Sequence, residues 1–292
     1  MGRSRYNLTP YLFLIIPLIL YVVWVIGPMF YTFYLSMTDW DGLTTPNFIG
    51  FENFIKLFDD KVFYISLTNN LKWLVTFITI PVVLGLGLAM ALNVAIPGEK
   101  FFKMSFYMPM VLAMVVSGLI WGWMYHPSGG LINYVLESTG LVEKGPGWLS
   151  KRSLALWSIL IVAIWRQVGY VMVLYLAGLK SINPQLLEAA HVDGASGWQT
   201  FRKILLPLLM PVTVIVLVIS VIDSLRAFDL VSVMTRGGPA NASSVLANFM
   251  YIEAFNNYKM GYGAAIAVIL FILSMAFIFI YLWRVMQDEL EY

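Results

Sequence analysis

An all-α polytopic membrane protein with six transmembrane helices is the fold class that this sequence predicts, and two observations carry the prediction. Of its 292 residues, 60% are hydrophobic and 12% charged, whereas soluble domains run to about half apolar and a quarter charged. Six apolar runs also reach the roughly 20 residues that a helix needs to cross a hydrocarbon core. In water so much apolar surface would stand as exposed patches; a lipid bilayer makes it the proper exterior.

The first run covers 10–35, with no charge between Arg5 and Asp39. Its length and the lack of a small-residue cleavage site mark an uncleaved anchor. The others cover 73–96, 104–125, 154–179, 208–231 and 262–283. In the fifth, Asp223, Arg226 and Asp229 fall in the last turns and leave its end open across that stretch. Pro17, Gly27, Pro28 and Pro81 predict kinks, because neighbouring groups in a membrane bundle satisfy the freed backbone.

Arg3 and Arg5 flank the first run, and Lys100 and Lys103 crowd the short connection an even number of crossings later. The positive-inside bias places both in the cytoplasm, and with them the N- and C-termini. The chain divides into an N-terminal anchor helix and outer loop (1–65), a membrane domain (66–284) and a cytoplasmic tail (285–292). The outer loop sets Trp40, Phe48, Phe51, Phe54 and Phe58 among Asp39, Asp41, Asp59 and Asp60, a composition that predicts a folded, aromatic-packed cap.

Several function classes drop out. The net charge of +2 with closely matched signs offers no basic stripe for nucleic acid. There is no cysteine, and His126 and His191 stand far apart, so no metal site is expected. No glycine-rich G-x-x-x-x-G-K-[ST] phosphate loop occurs, so this chain is not expected to hydrolyse ATP. No Ser–His or His–acid pair sits at helical spacing within a run, which predicts no catalytic residues and no cofactor. An ion-driven secondary transporter favours acids inside its spans, and the first four runs hold none.

The most informative stretch lies between the fourth and fifth runs. Asn183 followed by Pro184 is a good N-cap and first helical position, and Asp193-Gly194 supplies a turn that ends this short helix. Ser196 and Gln199 form a capping box for a second helix leading to Pro207. Helices of about ten residues are marginal alone in water, so something must hold them. Glu188 beside Ala189 and Ala190 sets one carboxylate next to a smooth surface, the chemistry of a docking peg. An interfacial helix pair lying on the membrane is the alternative, and it would carry bulky apolar anchors where this segment has alanines.

Glu188-Ala189-Ala190, two residues, Asp193-Gly194-Ala195, five residues, Phe201, then Ile204, Leu206-Pro207 and Pro211 together resemble the EAA loop of ABC importer permeases. Phe48-Ile-Gly-Phe-Glu-Asn-Phe54, Thr235-Arg-Gly-Gly-Pro239 and Gly261-Tyr-Gly-Ala264 are similar to motifs of the carbohydrate-type permeases, the group of the maltose and glycerol-phosphate permeases. The large outer-loop insertion of the maltose permease is missing. The resemblance implies the type I ABC importer permease fold in a prokaryotic cell membrane. It also implies a second homologous permease, two cytoplasmic ATPase subunits and an extracytoplasmic solute-binding protein as partners. Glu188, Ala189, Ala190, Asp193, Gly194 and Ala195 would then make the coupling contact with the ATPase, and the solute would be a sugar or related compound.

Arg166 stands in the middle of the fourth run, where an ionised side chain costs at least about 2.5 kcal/mol on insertion scales. It is expected to face a cavity or a paired group. Arg166, Gln167 and Tyr170 are candidates to line a solute pathway; a bundle-interior arginine bonded to carbonyls or to a partner permease is the other reading. Trp121, Trp123 and Tyr125, and likewise Tyr251 and Phe255, fit an interfacial aromatic belt or a stacking surface for sugars.

Overall fold

The computed structural model describes residues 9–94 and 97–289, so Arg3 and Arg5 lie outside the described residues. Four described helices are long and apolar enough to cross a membrane: Leu12–Leu35, Lys61–Ala91, Ala155–Ser181 and Met260–Phe279. Two bent pairs, Glu99–Val111 with Met114–Met124 and Gly197–Leu208 with Met210–Leu225, turn through 100° and 65°. Counting each pair as one span gives six, and the described residues are otherwise helix, turn and loop with one isolated bridge, Thr38 to Phe48.

In chain order, α1 (Thr9–Tyr21) and α2 (Gly27–Leu35) make the first span, joined by a π-helical turn at Val22–Ile26. That turn precedes Pro28, whose ring removes a donor from the ladder, so the kink expected there is a local widening of the helix. Then come α3 (Glu52–Asp59), α4 (Lys61–Ala91), α5 (Glu99–Val111), α6 (Met114–Met124) and α7 (Leu131–Ser138). After these run α8 (Ala155–Ser181), α9 (Pro184–Val192), α10 (Gly197–Thr200), α11 (Leu206–Leu208) and α12 (Met210–Leu225). The last are α13 (Asp229–Met234), α14 (Leu246–Tyr251) and α15 (Met260–Glu289).

Three spans differ from the sequence reading. The second starts at Lys61, well before Trp73, because the polar Ser66, Asn69 and Asn70 are buried with partners: Asn69 donates to the carbonyls of Ala242 and Ser244, and Asn70 accepts from the Leu246 N–H at 2.8 Å. The third is not one continuous helix, since Leu112 and Ala113 are extended. The fifth ends at Leu225, and Asp229 opens a separate short helix.

The chain groups into two compact units, one of Met1–Asp60 with Met250–Ile272 and one of Lys61–Phe249 with Leu273–Tyr292. In the larger unit α8 is the central strut, packed against α4, α5 and α12. One core gathers Trp73, Phe77, Tyr125, Ile159 and Val231, and another Ala89, Met172, Tyr175, Leu209 and Val216. At Gly169 α8 passes tightly against α5, where a methyl would overlap the Phe106 carbonyl. Gly169→Leu is therefore expected to lower stability by about 1–3 kcal/mol or more, read as thermal unfolding in detergent. Gly87→Leu, which meets open space, is the matched control and should leave the midpoint unchanged.

In the smaller unit the loop after the first span is folded, though its aromatics are not its core. Phe48, Phe51 and Phe58 are exposed, while Asn53 and Leu57 are buried. The Asn53 amide donates to the carbonyls of Ser36 (3.0 Å) and Thr38 (2.7 Å), and the Gly261 N–H donates to the Trp40 carbonyl at 2.9 Å. Buried polar groups with satisfied bonds fix a conformation that apolar packing alone would leave loose.

Two carboxylates hold the loop tip. The backbone N–H and side-chain amide of Asn47 keep the Asp39 carboxyl below the usual aspartate value of 3.8, and the N–H groups of Thr44 and Leu43 do the same for Asp41. A carboxyl whose folded value is depressed stabilises the fold above the unfolded value, and that contribution is lost as pH falls through the folded one. Amides of 39–47 should thus keep full protection from hydrogen exchange at pH 7 and lose it below the usual aspartate value, after correction for intrinsic exchange. Equal protection at pH 7 and pH 2 would contradict this.

Candidate functional site

The segment after α8 folds as its caps dictate. Asn183 Oδ1 accepts from the Gln185 N–H at 3.0 Å and Pro184 opens α9. Gly194 takes φ +74°, a conformation that a side chain resists, and ends the turn. Ser196 and Gln199 close a reciprocal capping box, with the Ser196 N–H donating to Gln199 Oε1 at 2.8 Å. Every one of these bonds is local, which is why the sequence announces them.

The surface this pair presents has two carboxylates, Glu188 and Asp193, and several bare apolar groups. Glu188, Ala189, Asp193 and Gly194 are exposed, Ala195 is half-buried, and Ala190 is buried and secures the helix. Val192 and Trp198 are 86% and 67% exposed, and Leu186 is exposed too. Bulky apolar residues thus accompany the alanines, a feature that the small residues alone did not signal and that a membrane-lying pair shares with a protein contact. Covering such a face with another surface is favourable.

Within the larger unit Arg166 is buried among α5 and α6. Its Nε donates to the Pro109 carbonyl at 3.3 Å, and Nη2 donates to those of Met110 (3.2 Å) and Leu112 (2.8 Å). These carbonyls sit at the 100° break, where the helical ladder no longer serves them. A planar five-donor fork suits that task, and a lysine would not replace it. Arg166 is thus bonded to carbonyls in the interior of this unit, with its side chain also at the wall of a cavity.

That cavity, of about 240 Å³, is lined by Trp73, Phe77, Arg166, Gln167, Asp223 and Asp229 among others. Gln167 Nε2 donates to Asp223 Oδ2 at 3.3 Å. The Trp73 indole N–H is buried with no acceptor. Tyr170 is half-buried and not among the lining residues. Trp73 and Asp223 were not predicted for this site: the first reads as an ordinary span aromatic, and the second as a marker of a helix end. Of the aromatics at the end of the third span, Tyr125 is buried, with its hydroxyl donating to the Ser158 carbonyl at 3.2 Å, and Trp121 packs on Trp165, while Trp123 points outward. Among the described residues no group of His, Asp and Glu is arranged to hold a metal.

The fold is that of an ABC importer permease of type I. A crystal structure of a bacterial ABC transporter involved in the import of the acidic polysaccharide alginate superposes with a TM-score of 0.81, at 23% identity and covering 94% of each chain. The chain belongs to the family of binding-protein-dependent transport system inner membrane components, which it matches over residues 73–287. It is 39% identical, over 95% of its own length and 96% of the relative's, to a probable ABC transporter permease protein of Pyrococcus horikoshii. To a probable starch degradation products transport system permease protein of Thermoanaerobacterium thermosulfurigenes it is 34% identical, over 96% and 95%. It is thus a multi-pass permease subunit.

Proposed function

We propose that this chain is one of two homologous membrane subunits of a carbohydrate importer, and that its α9–α10 face docks into a cleft on a cytoplasmic ATPase subunit. The observation that carries the docking role is the exposed carboxylate of Glu188 next to the exposed Ala189 on a helix secured by the buried Ala190, with Trp198, Val192 and Leu186 adding exposed apolar surface. An exposed tryptophan is a common interface anchor, and an exposed carboxylate suits an arginine or lysine on the partner. Glu188, Ala189, Ala190, Asp193, Gly194 and Ala195 make that contact, and movement of the docked pair passes to α12 through α11. The N- and C-termini and this pair lie in the cytoplasm; an extracytoplasmic solute-binding protein meets the opposite side. ATP is hydrolysed on the partner chains, two copies of which serve the two permeases.

Arg166 and Gln167 belong to the solute path, with divided labour, while Tyr170, the third candidate from the sequence, stands outside the cavity lining. Arg166 holds the break that shapes the cavity, while Gln167, Asp223 and the unpartnered Trp73 N–H offer donors and acceptors to sugar hydroxyls. Starch degradation products named for one relative support a saccharide as the solute. Trp73→Phe removes a buried donor that has no partner, so thermal stability should be unchanged or slightly raised, while half-saturation for uptake rises about fivefold, the worth of one ordinary hydrogen bond. A large stability loss with unchanged uptake would contradict the assignment.

The reading is tested by affinity purification of the chain from its own membrane in mild detergent, followed by mass spectrometry. Recovery of a second permease and an ATPase is expected; a lone chain would reopen the ion-driven alternative.

A further inference from the structure

The smaller unit holds a cavity that the transport reading does not use. Its volume is about 430 Å³, inside the range of about 300–1,000 Å³ typical of small-molecule sites. Trp40, Tyr258 and Tyr262 give it three aromatic walls. Three carboxylates, Asp39, Asp60 and Glu253, stand with two ammonium groups, Lys56 and Lys259, so the lining is close to electroneutral.

The polar groups are fixed from behind. Asp39 accepts from the Asn47 N–H at 2.9 Å, and the Tyr262 hydroxyl donates to Asp60 Oδ2 at 2.8 Å. Glu253 pairs with Lys259 at 3.0 Å and accepts from the Asn257 amide at 2.8 Å. An ionised carboxylate has about four acceptor positions, so one or two supporting bonds orient it without exhausting it. The Lys259 side chain is 60% exposed although its partner is 13% exposed, which leaves ammonium protons to share. Tyr258 has a φ of +55° that a tyrosine adopts only at a cost, two residues after a π-helical turn at Ile252–Asn256. Both features concentrate at functional sites.

We propose that this cavity binds a neutral saccharide, one ring lying against Tyr258 and Trp40 with its hydroxyls bonded to Glu253, Lys259 and Asp39. Aromatic faces accept the C–H face of a sugar ring, and alternating carboxylate and ammonium groups match hydroxyls that both donate and accept. Near-neutral lining disfavours an anion, and the wealth of polar groups disfavours a lipid chain. The proposal rests on the importer reading, which puts this cavity on the outer side, where it would hold a solute before entry into the membrane.

The test is equilibrium dialysis of radiolabelled maltotriose, xylose and glycerol 3-phosphate against the importer complex purified on this chain and held in lipid nanodiscs without a solute-binding protein. Wild type is expected to bind a neutral saccharide and not glycerol 3-phosphate. Tyr258→Gly, which suits the positive φ while removing the ring, should weaken binding about tenfold, the worth of one aromatic contact; Lys259→Gln should weaken it as well, and Gly87→Leu, whose side chain meets open space, should not. Loss in Gln167→Ala, in the membrane cavity, with Tyr258→Gly unchanged would overturn the proposal and leave the importer reading standing. So would binding of neither saccharide by wild type, or a Tyr258→Gly effect confined to affinity for the solute-binding protein. An importer complex lacking ATPase, or idle with ATP, would instead sink the importer reading whatever the dialysis gives.

Discussion

Glu188→Lys is expected to release the ATPase from the complex while the membrane subunits still assemble. Glu188 is exposed and among the described residues makes no ion pair within the chain, so its reversal leaves the α9 fold, fixed by Asn183, Gly194 and the Ser196–Gln199 box, untouched. At the interface it replaces attraction by like-charge repulsion in a partly desolvated contact, which costs about 2–5 kcal/mol and thus weakens docking by 30-fold or more. Mass spectrometry of the purified complex should show both permeases and little ATPase, and solute-stimulated ATP hydrolysis should vanish. Trp198→Ala should act in the same direction through lost apolar contact. Full retention of the ATPase in both variants would place the docking surface elsewhere.

Arg166→Met is expected to damage the fold of the third span before it touches solute. The substitution keeps bulk but strips the donors from three carbonyls at the α5–α6 break. A hydrogen bond to a charged donor is worth about 1.5–3 kcal/mol, and the bonds are not additive, so a loss of about 3 kcal/mol or more is expected. Thermal unfolding in detergent should show it as a clear drop in midpoint, with uptake lost. Arg166→Lys should rescue little, since one ammonium cannot span the three acceptors in a plane. Normal stability with uptake abolished would instead assign Arg166 directly to the solute.

The contrast between these residues explains what was legible in the sequence. The α9–α10 pair could be read residue by residue because its determinants are local: a cap at Asn183, a left-handed glycine at 194, a box closed within four residues. The break at Leu112 and Ala113 could not, because neither residue is a helix breaker and its support comes from Arg166, distant in the chain. Burial cost singled out Arg166 and Gln167, but partners such as Asp223 and Trp73 come from other helices and were invisible to periodicity. The early start of α4 was hidden for the same reason, since Asn69 and Asn70 look like loop residues until the segments at 224 and 242–246 supply their bonds.

The central claim is that this chain forms a pathway driven by ATP hydrolysis on partner subunits. Its most direct test is uptake of radiolabelled pentoses and oligosaccharides into proteoliposomes holding the complex purified on this chain, with the solute-binding protein supplied outside. Uptake that requires enclosed ATP and is indifferent to ionophores is the expected result. Uptake that proceeds without ATP and collapses with the ion gradient would contradict it.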